Sequence, residues 1–255
     1  MRTDILDLHR FYQSPLGEVA ARFVGAHIRS AWTSTDRLRL AGFGYTEPYL
    51  TAFQDTERTI ALAPAAQGVI RWPAQSPNRA TLVEDHHWPL ADASIDRLLI
   101  VHGLEEASHP RGLMREIWRV LADDGKAIIV VSHRRGFWST VDTTPFGAGR
   151  PYLRGQLVRL LSDAMLEPTN FTSALFFPPS GARYILRASR AWERAGARLW
   201  PWLGGVLLIE AEKTMARVVA RPLRARVHLP LPAQTLPASS TRTGASRYRQ
   251  LPKAP

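Results

Sequence analysis

Two histidines, a pair of adjacent carboxylates and a turn carrying two glycines hold most of the chemistry this chain offers. His102 and His133 each follow an apolar run, at 97–101 and 127–131. An imidazole titrates near neutrality and can take a proton from a hydroxyl acceptor, so either ring is a candidate base. The plain alternative is a ring that only satisfies a carbonyl at a strand end. Glu84, Asp85 and His86 stand together, and Gly42-Phe43-Gly44 forms a turn at which a backbone can approach a ligand closely. Arg134-Arg135, ahead of Gly136-Phe137-Trp138, suits an anionic or aromatic group, or simply a solvated loop. The chain has no cysteine, which excludes a disulfide, a thiol nucleophile and a thiolate metal site. The spacing of His86, His87 and His102 matches no standard ligand set, so no metal site is expected.

These residues need a frame, and the hydrophobic pattern supplies one. Ser14-Pro15 opens an amphipathic helix with apolar residues at Leu16, Val19, Ala20, Phe23 and Val24, read as an N-terminal covering helix within residues 1–34. Strands are expected at 37–41, 59–62, 79–83, 97–101 and 127–131, with a helix over 111–121 and another over 153–165. A strand at 170–177, a helical insert at 181–203 and a last strand at 205–210 complete the order. Such alternation predicts an α/β fold with a doubly wound, mostly parallel seven-stranded sheet over 35–213, its ligands lying beyond the carboxyl ends of the strands.

The segment Trp88-Pro89-Leu90-Ala91-Asp92-Ala93-Ser94-Ile95-Asp96, with His102-Gly103-Leu104-Glu105, Arg119-Val120-Leu121 and Asp124-Gly125, resembles the central signature of class I S-adenosylmethionine-dependent methyltransferases of the type 11, ubiquinone-biosynthesis-like group. The likeness covers residues 36–132 well and the rest by order of elements. It implies a Rossmann-like fold and S-adenosyl-L-methionine as cofactor. Gly42, Phe43 and Gly44 would shape the cofactor loop, Glu84, Asp85 and His86 would lie at the adenine end, and His102 and His133 would face the reacting centre. The second strand, however, ends Ala61-Leu62-Ala63-Pro64, without the carboxylate that usually holds the ribose. Two readings therefore stay open: a methyltransferase acting on a small-molecule substrate, and a catalytically degenerate protein serving as a binding or regulatory module.

The formal net charge is +11, yet residues 213–255 hold nine Lys or Arg and no Asp or Glu, which leaves +2 for the remainder. The stretch 214–255 reads as a basic, Pro/Arg-rich, mostly disordered tail. Its charge predicts weak, salt-sensitive contact with anionic surfaces and no specific nucleic-acid partner. Trp192, Trp200 and Trp202 among the arginines of the insert suit helix packing, cover for the site's mouth, or an anionic membrane surface. The first ten residues show no secretory leader and no apolar run spans a bilayer, so a cytoplasmic location is the expectation.

Overall fold

Strands buried on both faces need apolar side chains throughout, and 98–101 and 127–131 have them. In a computed structural model, which describes residues 2–214, seven strands form one sheet: β1 (Arg39–Gly44), β2 (Arg58–Pro64), β3 (Ala80–Val83), β4 (Ile95–Val101), β5 (Leu121–Ser132), β6 (Leu166–Ala174) and β7 (Val206–Lys213). Their order is β3-β2-β1-β4-β5-β7-β6. The first five strands run parallel, and β7 runs antiparallel between β5 and β6. The order reverses between β1 and β4, so the crevice of this fold opens where Gly44 lies beside Val101.

Alternate side chains of the central strands divide between two cores. Leu40, Leu99, Val101, Ile128 and Val130 pack under α1 (Ile5–Gln13) and α2 (Pro15–Ala31). Ala41, Phe43, Leu98, Ile100, Ile129 and Val131 pack under α4 (Pro110–Val120) and α5 (Arg154–Asp163). Between β1 and β2 lies α3 (Glu47–Leu50), and α6 (Arg183–Leu199) links β6 to β7.

Three elements depart from the sequence reading. The covering helix is two helices, because Ser14 ends α1 and starts α2, its Oγ donating to the Phe11 carbonyl and accepting from the Gly17 amide. A side chain at position 17 would collide with the Phe11 carbonyl, so glycine permits the close turn. Gly42-Phe43-Gly44 belongs to β1 itself rather than to a turn after it, and the helix that follows is only four residues long. The sixth strand starts earlier than expected, at Leu166, with its register shifted between Pro168 and Asn170, since proline has no amide to give the ladder. The tail reading falls on residues that, beyond Thr214, lie outside those described.

Candidate functional site

Beyond the ends of β1 and β4 the chain turns sharply. Gly44 has φ +90°, and a Cβ there would strike the Val101 carbonyl and Gly103, so glycine lets the two strands close on each other. The Tyr45 amide donates to that same carbonyl at 2.8 Å. A Cβ at Gly42 would collide with Thr46 Oγ1, and Phe43 is fully buried against the Trp88 ring, 4.9 Å between centroids.

The crevice is filled by the chain's own aromatic groups. Tyr12, carried by α1, hydrogen-bonds through its hydroxyl to Tyr49 at 3.0 Å and to His102 Nε2 at 2.9 Å. Its ring lies 5.1 Å from that of Tyr45, and Phe146 covers His102 from the other side at 4.7 Å. His102 adopts φ +52° and is only 5% exposed. Burial drives its pKa down to about 3, so at neutral pH the ring is uncharged, and as arranged it is a poor base.

Of the two carboxylates after β3, one is engaged by the chain itself. Glu84 is exposed and forms an isolated bridge with His87, and His86 is exposed beside the His109 ring. Asp85 is buried. It receives Arg2 Nη2 at 2.6 Å and the Ser108 amide at 3.2 Å, while Arg2 Nη1 donates to the Gly103 carbonyl at 3.2 Å. One residue on, the Thr3 amide donates to Glu106 at 2.9 Å. The N-terminal segment thus crosses from β3 to β4 over the crevice, held by charge at Asp85 and Glu106 and by the Ile5, Leu8 and Tyr12 side chains beneath α1.

His133 is placed elsewhere. With Arg135, Arg154, Arg159 and Trp202 it lines a cavity of about 610 Å³ at the end of β5, and His102 is not part of that lining. His133 Nδ1 donates to the Gly204 carbonyl at 3.0 Å, so Nε2 carries the free lone pair, and burial holds the ring's pKa below the usual imidazole value. The cavity lining contains no carboxylate, and none of its three arginines forms an ion pair among the described residues. The sequence reading brought His102 and His133 to one mouth; the structure puts them in two environments.

Two acids escaped the sequence reading. Glu105 is 4% exposed, accepts the Ser132 amide at 2.9 Å through one oxygen, and has no partner at the other. Burial pushes its carboxyl up to about 7. Glu47, the first residue of α3, is likewise buried and pushed up to about 7. Glu105 closes a quoted motif and Glu47 lies three residues past another, but burial is the main cause of their raised pKa and no spacing rule encodes it.

Strand order, the left-handed glycine at the end of β1 and the acidic turn after β3 define a class I methyltransferase fold. Residues 41–129 match the family model described as a methyltransferase domain. The chain is similar to the uncharacterised protein YafS of Escherichia coli (strain K12), 28% identical over 177 residues, spanning 66% of each chain. Among solved structures, an S-adenosylmethionine-dependent methyltransferase from Thermotoga maritima aligns with TM-score 0.51 at 17% identity, over 81% of this chain and 92% of that one. The methyltransferase chain of the Haloferax volcanii complex with the Trm112 methyltransferase activator aligns with TM-score 0.59 at 15% identity, over 84% and 100%. The [4+2]-cyclase SpnF aligns with TM-score 0.51 at 21% identity, over 77% and 81%. At these identities the structures establish the fold, and the cyclase among them illustrates that the fold alone does not dictate the reaction.

S-adenosylmethionine is the cofactor of this class. With α1 docked, the residues present do not fit it: Tyr12 and Tyr45 fill the crevice, Arg2 holds Asp85, and β2 ends without a carboxylate. The elements beneath α1, namely the β1 glycines and the acidic turn, are those that suit it.

Proposed function

We propose that this chain is a methyltransferase using S-adenosyl-L-methionine on a small-molecule acceptor, and that α1 must lift from the crevice before the cofactor enters. The observation that carries this reading is the state of Asp85, a buried carboxylate whose charge is met by an arginine on a peripheral segment. A guanidinium there offers N–H donors where an adenine amino group would offer its own. Once α1 withdraws, Gly42, Phe43 and Gly44 line the cofactor loop, Glu84, Asp85 and His86 receive the adenine end, and His102 stands near the reacting centre. The acceptor carries an anionic group, because the cavity at His133 presents Arg135, Arg154 and Arg159 with no acid among them. His133 Nε2, kept as a lone pair by the Gly204 contact, is the group to take the acceptor's proton.

A second reading, a degenerate methyltransferase fold acting as a binding or regulatory module, is favoured by the packed aromatic cluster and the bare end of β2. Calorimetric titration with S-adenosylmethionine and S-adenosylhomocysteine separates the two. The methyltransferase reading expects Arg2→Ala to bind at micromolar level, about −8 kcal/mol, more tightly than the unaltered chain, and expects Asp85→Asn in that background to lose the binding. If neither the unaltered chain nor Arg2→Ala binds either compound, methyl transfer is excluded and the module remains.

A further inference from the structure

The helix α6 carries large apolar side chains on its outer face that packing alone does not require. Its buried residues are Ser189, Glu193 and Gly196, small or polar, and they serve the fold locally. Glu193 accepts the Leu175 and Phe176 amides at 2.8 Å each, and a side chain at Gly196 would collide with the Phe176 ring. Ile185 and Leu186 pack partly buried against the core, but the other large apolar residues point outward: Tyr184 is 73% exposed, Trp192 46% and Leu199 56%. Trp200 and Trp202 extend the same exposed band past the helix end.

On a helix at 100° per residue, Tyr184, Ala188, Ala191, Trp192, Ala195 and Leu199 form one apolar stripe. Arg183, Arg187, Arg190, Arg194 and Arg198, spaced by three or four residues, form a second stripe directly beside it. All five arginines are exposed, and none forms an ion pair among the described residues. The single acid of the helix, Glu193, faces inward with both oxygens occupied.

We propose that α6 is a docking surface for a membrane bearing anionic lipid, lying flat in the interface with Tyr184, Trp192 and Leu199 entering the headgroup boundary and the arginine stripe on the phosphates. An aromatic and leucine stripe flanked by guanidinium groups is the chemistry that a lipid interface selects: rings suit the boundary, and arginine stems lie along it while their heads reach charge. A purely electrostatic partner would leave the outward apolar stripe without a role. No helix of the described residues is long and apolar enough to cross a membrane, so the contact is peripheral. The nine basic and no acidic residues of 213–255 carry charge of the same sign. Trp202 belongs both to the exposed band and to the lining of the cationic cavity, so the docked face adjoins that cavity's mouth. The inference stands apart from the methyltransferase reading and survives or fails without it.

The test is co-sedimentation of the full chain with phosphatidylglycerol–phosphatidylcholine vesicles and with phosphatidylcholine vesicles alone. Binding to the anionic vesicles only is expected. Two sets of surface variants apportion it, with circular dichroism confirming an unaltered fold: Trp192→Ser with Leu199→Ser removes the apolar stripe, and Arg187→Glu with Arg190→Glu and Arg194→Glu reverses the charged one. Each set should weaken vesicle binding by about tenfold or more. Binding that both sets leave unchanged would assign the contact to residues 213–255 and overturn the proposal. Failure to bind anionic vesicles, whether or not the chain is retained on DNA or an acidic protein, overturns it as well.

Discussion

Glu105 has a protonation state fixed by its surroundings alone. Enclosed between the ends of β4 and β5 with one oxygen unpartnered, its carboxyl titrates at about 7, against about 4.3 in an unfolded chain. The folded state therefore keeps a proton that the unfolded state has lost, so this residue's contribution to stability is complete at low pH and is lost as pH rises through about 7. His102 acts oppositely: with its folded pKa at about 3, stability is gained as pH rises from there to the ordinary imidazole value. Glu105→Gln keeps the shape and removes the titration. Chemical denaturation of this variant should show a shallower loss of stability between about pH 5 and about pH 7.5, the difference reaching at most about 3 kcal/mol. An unchanged slope would mean that Glu105 is ionised in the folded chain. At this scale the sequence reading singled out the residues that motifs and strand ends mark, Gly42, Gly44, Asp85 and His102 among them, as candidates. It missed Glu105 and Glu47 because depth of burial follows from packing between distant segments, Ser132 on Glu105 for instance.

At the scale of elements, α1 is the piece on which the site turns. The sequence reading opened its covering helix at Ser14 and missed this piece, although Asp4 caps it and Ile5, Leu8 and Tyr12 recur at helical spacing. The charged residues Asp7 and Arg10 between them are the solvent face of that helix. What periodicity could not convey is where the apolar face lands, on the crevice of β1 and β4 rather than on the flat of the sheet. Leu8 is fully buried, so Leu8→Ala should cost about 2–5 kcal/mol of docking. If α1 is a separable cover, hydrogen exchange will quicken over residues 2–13 while α2 stays protected. Equal quickening of both helices would make them one cooperative unit and argue against a lifting segment.

For the whole molecule, the alternation of apolar strands with amphipathic helices sufficed to reach a doubly wound α/β sheet, because the central strands put apolar side chains into the cores on both faces, and the resemblance of the segment after Trp88 supplied the class I assignment. The partition of charge was also readable, whereas the outward apolar stripe of α6 was not, since hydrophobic periodicity reports a stripe and never says which way it points. The strand order also bears on how the chain is made. β6 has no partner in the sheet except β7, and β7 is made last of the seven. A ribosome adding about 5–20 residues per second needs about 2–8 s to pass from the end of β6 to the end of β7. Throughout that interval the nascent chain presents the isoleucine- and valine-rich edge of β5 bare, with β6 waiting unpaired beside it. Closing the sheet therefore waits on the arginine-rich stretch between the two strands, and until β7 is made the hydrogen-bonding groups along that edge of β5 have no strand to meet.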